Sequence, residues 1–306
     1  MLGLDACGIA EAAPLNEDDH FTTWIQQGYH AEMAWLARNP ALRNDIHLFL
    51  PKARSVIVVA SNYYLDPPQS PPQGAGSIAR YAWGRDYHKI LQRRLRALTR
   101  FIQAIDQNAE SRSCVDSGPV MERAWAARAG LGWLGKHGLL IHRRWGSWIL
   151  LGVLATSIPL APDQPVANAC GDCQRCMTAC PTKALVQPGV LDARRCIAYH
   201  TIENRGDIPP EFHTAIGDRL FGCDRCQEVC PWNQRGENTE DPDFQAKPAV
   251  LTTIADDFLT MDPEEFDHRF AGMALRRAKL EGIRRNARIV IANRQDENGE
   301  PRDCPD

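Results

Sequence analysis

Twelve residues, Cys170 to Pro181 (CGDCQRCMTACP), constrain this chain more than any others. Their cysteines fall at Cys-x-x-Cys-x-x-Cys-x-x-x-Cys-Pro. With this spacing three thiolates hold one [4Fe–4S] cube and the fourth reaches a neighbouring cube. Two-residue gaps let a tight loop wrap its sulfurs around one cube. The three-residue gap starts a short turn that carries the fourth sulfur away, and Pro181, lacking an N–H, blocks further regular hydrogen bonding. A second run, Cys223 to Pro231 (CDRCQEVCP), closes the same way. Two such runs in one chain are a far stronger signal than a lone Cys-x-x-Cys.

The ferredoxin pattern assigns ligands one by one. Cys170, Cys173 and Cys176 take Cys230, the Cys-Pro of the second run, as the fourth ligand of the first cluster. The second run departs from the pattern, because its first position falls on Leu220, which cannot ligate iron. Cys196, in LDARRCIAYH, is the replacement, so the second cluster uses Cys180, Cys196, Cys223 and Cys226. Structural zinc also uses Cys-x-x-Cys pairs, but a four-cysteine zinc site has no need of the crossed Cys-x-x-x-Cys-Pro element. Cluster potentials span roughly −700 to +450 mV, so ligation alone does not define what the electrons do.

At 306 residues the chain can form one large domain or two medium ones, and its 44% hydrophobic and 24% charged content is ordinary for a globular protein. No apolar stretch approaches the roughly 18 residues of a membrane span. The start, MLGLDACGIAEAAPLNEDD, has neither the pattern of a secretory signal nor a twin arginine, so a cytoplasmic protein is expected. Of eleven cysteines, nine lie between Cys114 and Cys230, which favours metal binding over disulfides. Cys7, Cys114 and Cys304 stand outside the pattern and read as small buried hydrophobes. A net charge of −3 gives no global attraction to nucleic acid. Local candidates are Arg93-Arg94-Leu95-Arg96, Arg143-Arg144, Arg276-Arg277 and Arg284-Arg285 with Arg288, each of which can equally be a solvated helix face.

Along the chain, LGLDACGIAEAA reads as a short strand entering a loop, and Asp19 to Arg38 as an amphipathic helix with Phe21, Trp24, Ile25, Met33 and Leu36 on its stripe. SVIVVA (55–60) is a buried strand. A Pro/Gln/Gly-rich loop (66–76) precedes a helix from Asp86 to Ile105 whose apolar face is Ile90, Leu91, Leu95, Leu98, Phe101 and Ile102. In SCVDSGPVMERAWAARAG (113–130) a strand ends near Asp116, Pro119 opens a helix and Gly130 closes it. Residues 131–156 read as a glycine-rich loop and two strands joined by a turn at 143–146. This alternation indicates an α/β unit over 1–157. A ferredoxin-like two-cluster unit over 158–235 follows, then a linker (233–248), helices over 263–270 and 273–293, and a charged tail.

The blocks GYHAEMAWLARNPALR (28–43), LPKARSVIVVASNYY (50–64), ARYAWGRDYHKIL (79–91), VDSGPVMERAWAARAGLGWLGKHGLLI (115–141), CGDCQRCMTACPTKAL (170–185), DARRCIAYHTIE (192–203) and FGCDRCQEVCPWN (221–233) resemble the epoxyqueuosine reductase family in the same order. The resemblance runs from about residue 3 to about 293. It implies an α+β or α/β fold with an N-terminal cobalamin-binding unit, a two-[4Fe–4S] unit and a short HEAT-like helical end (236–306). It also implies electrons passing through both clusters to base-off cobalamin, and reduction of epoxyqueuosine to queuosine at the wobble position of tRNA. The implied partners are that tRNA and an external low-potential electron donor, with no membrane and a monomeric chain.

Asp116 matches the family's proton donor, and an acid is chemically required where an opened epoxide leaves an alkoxide-like oxygen. A carboxyl partly desolvated beside a corrin would have a raised pKa and could hold that proton near neutrality. Asp116 can also be a helix cap before Pro119. The implied cofactor contacts are Arg43, Asp116, Leu140 through its backbone, Leu151, Ala198, Cys223 and Asp224. The plain alternatives are core for Leu140 and a surface ion pair for Arg43. His200 reads as packing or a polar contact and not as a cobalt ligand.

The chain starts almost on GLDACGIA, where the family often carries a leading helix, and it keeps only the beginning of the helical end, RRAKLEGIRRNARIVIAN. Arg284, Arg285 and Arg288 would then be phosphate contacts. The competing readings are a two-cluster electron-transfer protein and a cobalamin-dependent enzyme of the reductive dehalogenase kind.

Overall fold

The run SVIVVA lies in the middle of the main sheet, where its β-branched side chains suit a pleated, buried surface. The structure, a computed structural model, describes residues 2–15 and 20–298, so Asp19, Cys304 and the rest of the charged tail lie outside the described residues. In chain order the strands are β1 (Ala6–Glu11), β2 (Ser55–Asn62), β3 (Ser77–Ile78), β4 (Ser111–Cys114), β5 (Trp133–Leu134), β6 (Leu140–Ile141), β7 (Ile149–Thr156), β8 (Leu185–Gln187), β9 (Val190–Leu191) and β10 (Arg219–Phe221). Four of them form the main sheet in the order β1-β2-β7-β4. Every pair in it is antiparallel, with Ala60 opposite Leu151 and Ser55 opposite Thr156.

Helices cover both faces of this sheet. Leading in from β1 is the short helix α1 (His20–Gln26); α2 (Tyr87–Ile105) and α3 (Glu122–Arg128) do the covering. On one face Val56, Val58, Ala60 and Val153 pack with Trp125 and Ala126 of α3. On the other, Ile57, Val59 and Leu154 pack with Ile90, Leu91 and Leu95 of α2. Burying Leu91 and Leu95 contributes roughly 1.5–3 kcal/mol each. All eight residues of β2 are buried, which is why the strand reads as an unbroken apolar run. The mixed content matches expectation, but the strand order is that of an antiparallel sheet. An antiparallel sheet covered on both faces leaves the same apolar signature as a parallel one.

The cysteine runs carry two short helices, α4 (Arg175–Thr178) and α6 (Arg225–Glu228), which pack on each other. Between them lie the β8–β9 hairpin and α5 (Ile197–Ile202). The C-terminal part is helical and includes α7 (Pro263–Arg269) and α8 (Lys279–Asn298). Its core, with Phe258, Phe266, Phe270, Leu275 and Ile283, also takes in Ile78 and Trp83 from the first region and Leu220 and Phe221 from the second. β3 pairs in parallel with β10, joining the same two regions. Buried Asn286 donates to the carbonyls of Thr201 and Leu220, both at 2.9 Å. No helix among the described residues is long and apolar enough to cross a membrane.

Five local expectations are corrected. The 19–38 helix is confined to α1, because Gly28 and Ala31 both take positive φ and turn the chain. Phe101 is 62% exposed, since the buried side of α2 runs through Leu91, Leu95 and Ile102 instead. Pro119 opens no helix; α3 starts at Glu122, behind Met121. The 273–293 helix is a 3-10 turn over Ala274–Ala278, a positive φ at Lys279, and then α8. Cys7 is exposed, because the edge strand β1 buries Gly8 and Ala10 instead. Cys114 is buried as expected.

The 233–248 stretch, expected to be a linker, is a strap across the first region. Thr239 N donates to Tyr64 O (2.8 Å) and Asn62 Nδ2 to Glu237 O (2.8 Å). Arg94 of α2, itself buried, pairs with Asp241.

Candidate active site and cluster ligands

The eight motif cysteines come together as two sets of four. Cys170, Cys173, Cys176 and Cys230 line one cavity of about 210 Å³, together with Ile141 and His137. Behind burial as the main cause, Cys170 and Cys173 raise the Cys176 thiol, and Cys170 and Cys176 raise that of Cys230. In the second set burial, with the charges of Cys223 and Cys180 added, pushes Cys196 up to about 11. Cys226 is raised by burial and then by Cys196, Cys223 and Cys180. Crowded, buried thiols of this kind give up their protons on binding a cationic metal core. His200 is buried and its Nε2 meets Arg194 O at 2.9 Å, so it serves packing as expected.

Asp116 follows β4 at the start of a tight loop. Its φ is +53°, a conformation that costs a non-glycine residue about 1–3 kcal/mol and that surrounding contacts must hold. Ser117 N donates to Val115 O at 2.6 Å, and Arg43 Nη1 donates to Gly118 O at 3.4 Å. Gly118 lies so close to Cys114 that a Cβ there would stand 2.3 Å from Sγ. Asp116 is not a cap. Its carboxylate faces α2, where His88 Nε2 meets Oδ2 at 3.0 Å, and the Tyr87 hydroxyl also bonds it. The other His88 nitrogen, Nδ1, meets Asp86 at 2.7 Å, and Asp86 in turn caps α2.

This arrangement reverses one expectation. Burial alone would raise the Asp116 carboxyl, but its side chain is 61% exposed, and the hydrogen bond and charge of His88 hold it below the usual carboxylate value. Burial works to lower His88, and the two aspartates outweigh it, raising the imidazole to about 9. The proton near neutral pH therefore sits on His88, between two carboxylates. Tyr81 and Tyr87 are raised, by burial first and then by Asp116. Arg277, bidentate on Glu203, carries a positive charge within reach of Asp116 and Tyr81. Sequence reasoning missed Asp86, Tyr87 and His88. Their only mark in the chain is RDYH at the start of α2.

Of the expected cofactor contacts, Arg43 is the one joined to the Asp116 loop. It is buried (8% exposed), lies over Phe21 at 5.6 Å, and its Nε has no partner among the described residues. Leu140 (β6) is buried, and half-buried Leu151 (β7) packs against the same apolar cluster. Ala198 is half-buried on α5, two residues after Cys196. Cys223 is half-buried. Asp224 accepts from Arg80 N (2.8 Å) and Nη1 (3.3 Å), and burial outweighs this pairing to push it up to about 6. Arg80 stacks over Trp148 at 4.9 Å, and its Nε also lacks a partner among the described residues. Buried Tyr81 feels the charges of both Asp116 and Asp224.

Several arginines of the basic clusters have partners within the molecule. Arg93 pairs with Asp243 and Arg144 with Glu237. Arg284 donates to Phe258 O and Met261 O, and Arg285 to His200 O and Asn204 O. The guanidinium groups of Arg284 and Arg285 are thus engaged by the backbone. Arg288 is exposed.

Paired thiol sets beside a helix-covered sheet bearing an imidazole–carboxylate pair define the class, an iron–sulfur oxidoreductase with its own reaction unit. Residues 169–233 match the family model described as a 4Fe-4S double cluster binding domain, and residues 43–117 that of epoxyqueuosine reductase QueG, DUF1730. The chain is 46% identical to the epoxyqueuosine reductase of Synechocystis sp., over 93% of this chain and 99% of that one. It is 40% identical to that of Escherichia coli, over 95% of this chain and 78% of that one. A crystal structure of epoxyqueuosine reductase with an epoxyqueuosine-modified tRNA-Tyr stem loop superposes with a TM-score of 0.91 at 32% identity, over 97% of this chain and 80% of that one. The chain belongs to the epoxyqueuosine reductase family.

Proposed function

We propose that this protein reduces epoxyqueuosine to queuosine at the wobble position of tRNA, the last step in making that base. The observation that carries the reading is a near end-to-end match to an epoxyqueuosine reductase, in a fold that sets a proton-holding pair beside a double-cluster domain. The reaction consumes two electrons and two protons. Both C–O bonds of the epoxide break, a C=C bond forms, and the oxygen leaves as water. Cys170, Cys173, Cys176 and Cys230 would hold one cluster and Cys180, Cys196, Cys223 and Cys226 another, and these would supply electrons one at a time from an external low-potential donor.

Cobalamin fits the remaining residues. The unpartnered, buried Arg43 Nε suits a propionamide or phosphate oxygen, and a guanidinium holds such groups well. Arg43, Leu140, Leu151, Ala198, Cys223 and Asp224 would hold it. When bound it supplies the low-potential electron pair that opens the epoxide. His88 holds the proton near neutral pH and passes it across their hydrogen bond to Asp116, which delivers it to the departing oxygen, so the acid is the pair and not a lone raised carboxyl. The chain divides for this purpose near residues 157 and 235 and works as a monomer. A cytoplasmic location follows from the tRNA substrate.

The test is to incubate the reduced, cobalamin-loaded protein with epoxyqueuosine-containing tRNA and follow the base by mass spectrometry. Loss of one oxygen is expected. An intact epoxide, in protein with full iron and corrin absorbance, would overturn the assignment. Failure to take up any corrin would point to an electron carrier instead.

A further inference from the structure

The loop between β5 and β6, residues 135–139, ends at one of the two thiol sets. Lys136 Nζ donates to Gly171 O at 2.6 Å and Gly189 N to Lys136 O at 2.9 Å, pinning the loop on the first cysteine run and on the β8–β9 turn. The loop closes on itself through Gly135 N to Leu139 O and Gly138 N to Gly135 O, both at 2.8 Å. Gly135 leaves room for the ring that follows, since a Cβ there would stand 2.8 Å from His137 Cε1.

His137 is 5% exposed and lines the cavity formed by Cys170, Cys173, Cys176 and Cys230. Its Nδ1 accepts from Leu139 N at 3.1 Å. An imidazole nitrogen that accepts a backbone N–H carries no proton, so in the neutral ring the hydrogen is on Nε2. That Nε2 is buried and has no partner among the described residues. A buried donor left unpaired costs about 1–3 kcal/mol, and such a group calls for an acceptor.

We propose that His137 donates its Nε2–H to a sulfur of the cluster on Cys170, Cys173, Cys176 and Cys230, and thereby raises that cluster's reduction potential. The inference rests on the ligand assignment proposed above. Reduction adds negative charge that spreads over the sulfurs, and a fixed donor stabilises the more negative state. The backbone bond to Nδ1 sets tautomer and orientation, as outer-shell partners do for metal-bound histidines.

The experiment is an EPR-monitored redox titration of the full-length, anaerobically reconstituted protein, with iron and acid-labile sulfide counted in each sample. Wild type, His137→Phe and His137→Gln are compared, and loss of four irons in Cys173→Ala identifies the signal of the cluster in question. In His137→Phe the ratio of reduced to oxidised cluster, at fixed potential, is expected to fall at least tenfold, or about 59 mV for one electron. The other cluster should be unmoved, and His137→Gln, which keeps an N–H, should recover part of the shift. An unshifted titration of His137→Phe with both clusters present overturns the proposal. Should that variant fail to assemble, wild type labelled with 15N-histidine decides. Hyperfine coupling of a histidine nitrogen to the reduced cluster is expected, and its absence overturns the inference. An unchanged iron count in Cys173→Ala would instead overturn the ligand assignment.

Discussion

Asp116 holds a positive φ on a tight loop, and its carboxylate is shared with a histidine that is itself held by Asp86. Asp116→Asn preserves the loop's shape and removes the acid. Turnover should fall about 10²–10⁴-fold with iron content and corrin uptake unchanged, and wild-type turnover would sink the acid assignment. His88 gives the pair its pH dependence. Its folded value of about 9 lies above the ordinary 6.5. The stability it adds is therefore complete below about pH 6.5 and is lost as pH rises through about 9. Turnover should show an alkaline limb near pH 9 that disappears in His88→Gln, read from kcat profiles of the two proteins. A limb that persists in the variant belongs to another group.

The loop 115–121 is positioned by what it touches: Arg43 at Gly118 O on one side and the Cys114 thiol on the other. Gly118→Ala puts a methyl carbon 2.3 Å from Cys114 Sγ and must displace the loop. Misplacing a catalytic group by about 1 Å can cost on the order of 10²-fold, and kcat should drop accordingly with both clusters intact. Cys114→Ala in the same chain, by removing the obstructing sulfur, should restore much of the loss. An additive double variant would show that Cys114 is not the obstacle. At α2, the expected helix and its Asp86 start were legible in the 86–105 pattern. The partner of its first turn was not, because Asp116 is 28 residues further along and arrives only when β4 joins the sheet.

Across the whole molecule the three regions interleave. The strap 233–248 returns over the first region, and buried Arg94 is neutralised there by Asp241, with Gly3 O (2.6 Å) as a further acceptor. Removing one partner of a buried ion pair costs about 3–5 kcal/mol, because the other charge is left behind. Asp241→Ala should therefore lower the thermal midpoint strongly, by differential scanning calorimetry of the loaded protein. A change within error would mean that Asp243 takes over the guanidinium, which it already approaches to 3.7 Å. Charged residues in a stretch of this composition read as solvated linker, and nothing local marks their burial.

The double-cluster character of residues 169–233 was readable in advance because ligation chemistry is written in short spacings. Loops of two or three residues can wrap only certain geometries, whatever surrounds them. Counting thiols, once Leu220 was seen in a ligand position, put Cys196 with Cys180, Cys223 and Cys226, and the fold brings these four near one another. The antiparallel order of the sheet, the strap and the Asp86–His88–Asp116 chain depend on contacts between residues far apart in the chain. A hydrophobic period reports that a strand is buried and says nothing of its neighbour's direction. Where the proton of Asp116 resides was likewise decided by folding, since it depends on a histidine that only the packed sheet and helix bring within 3.0 Å.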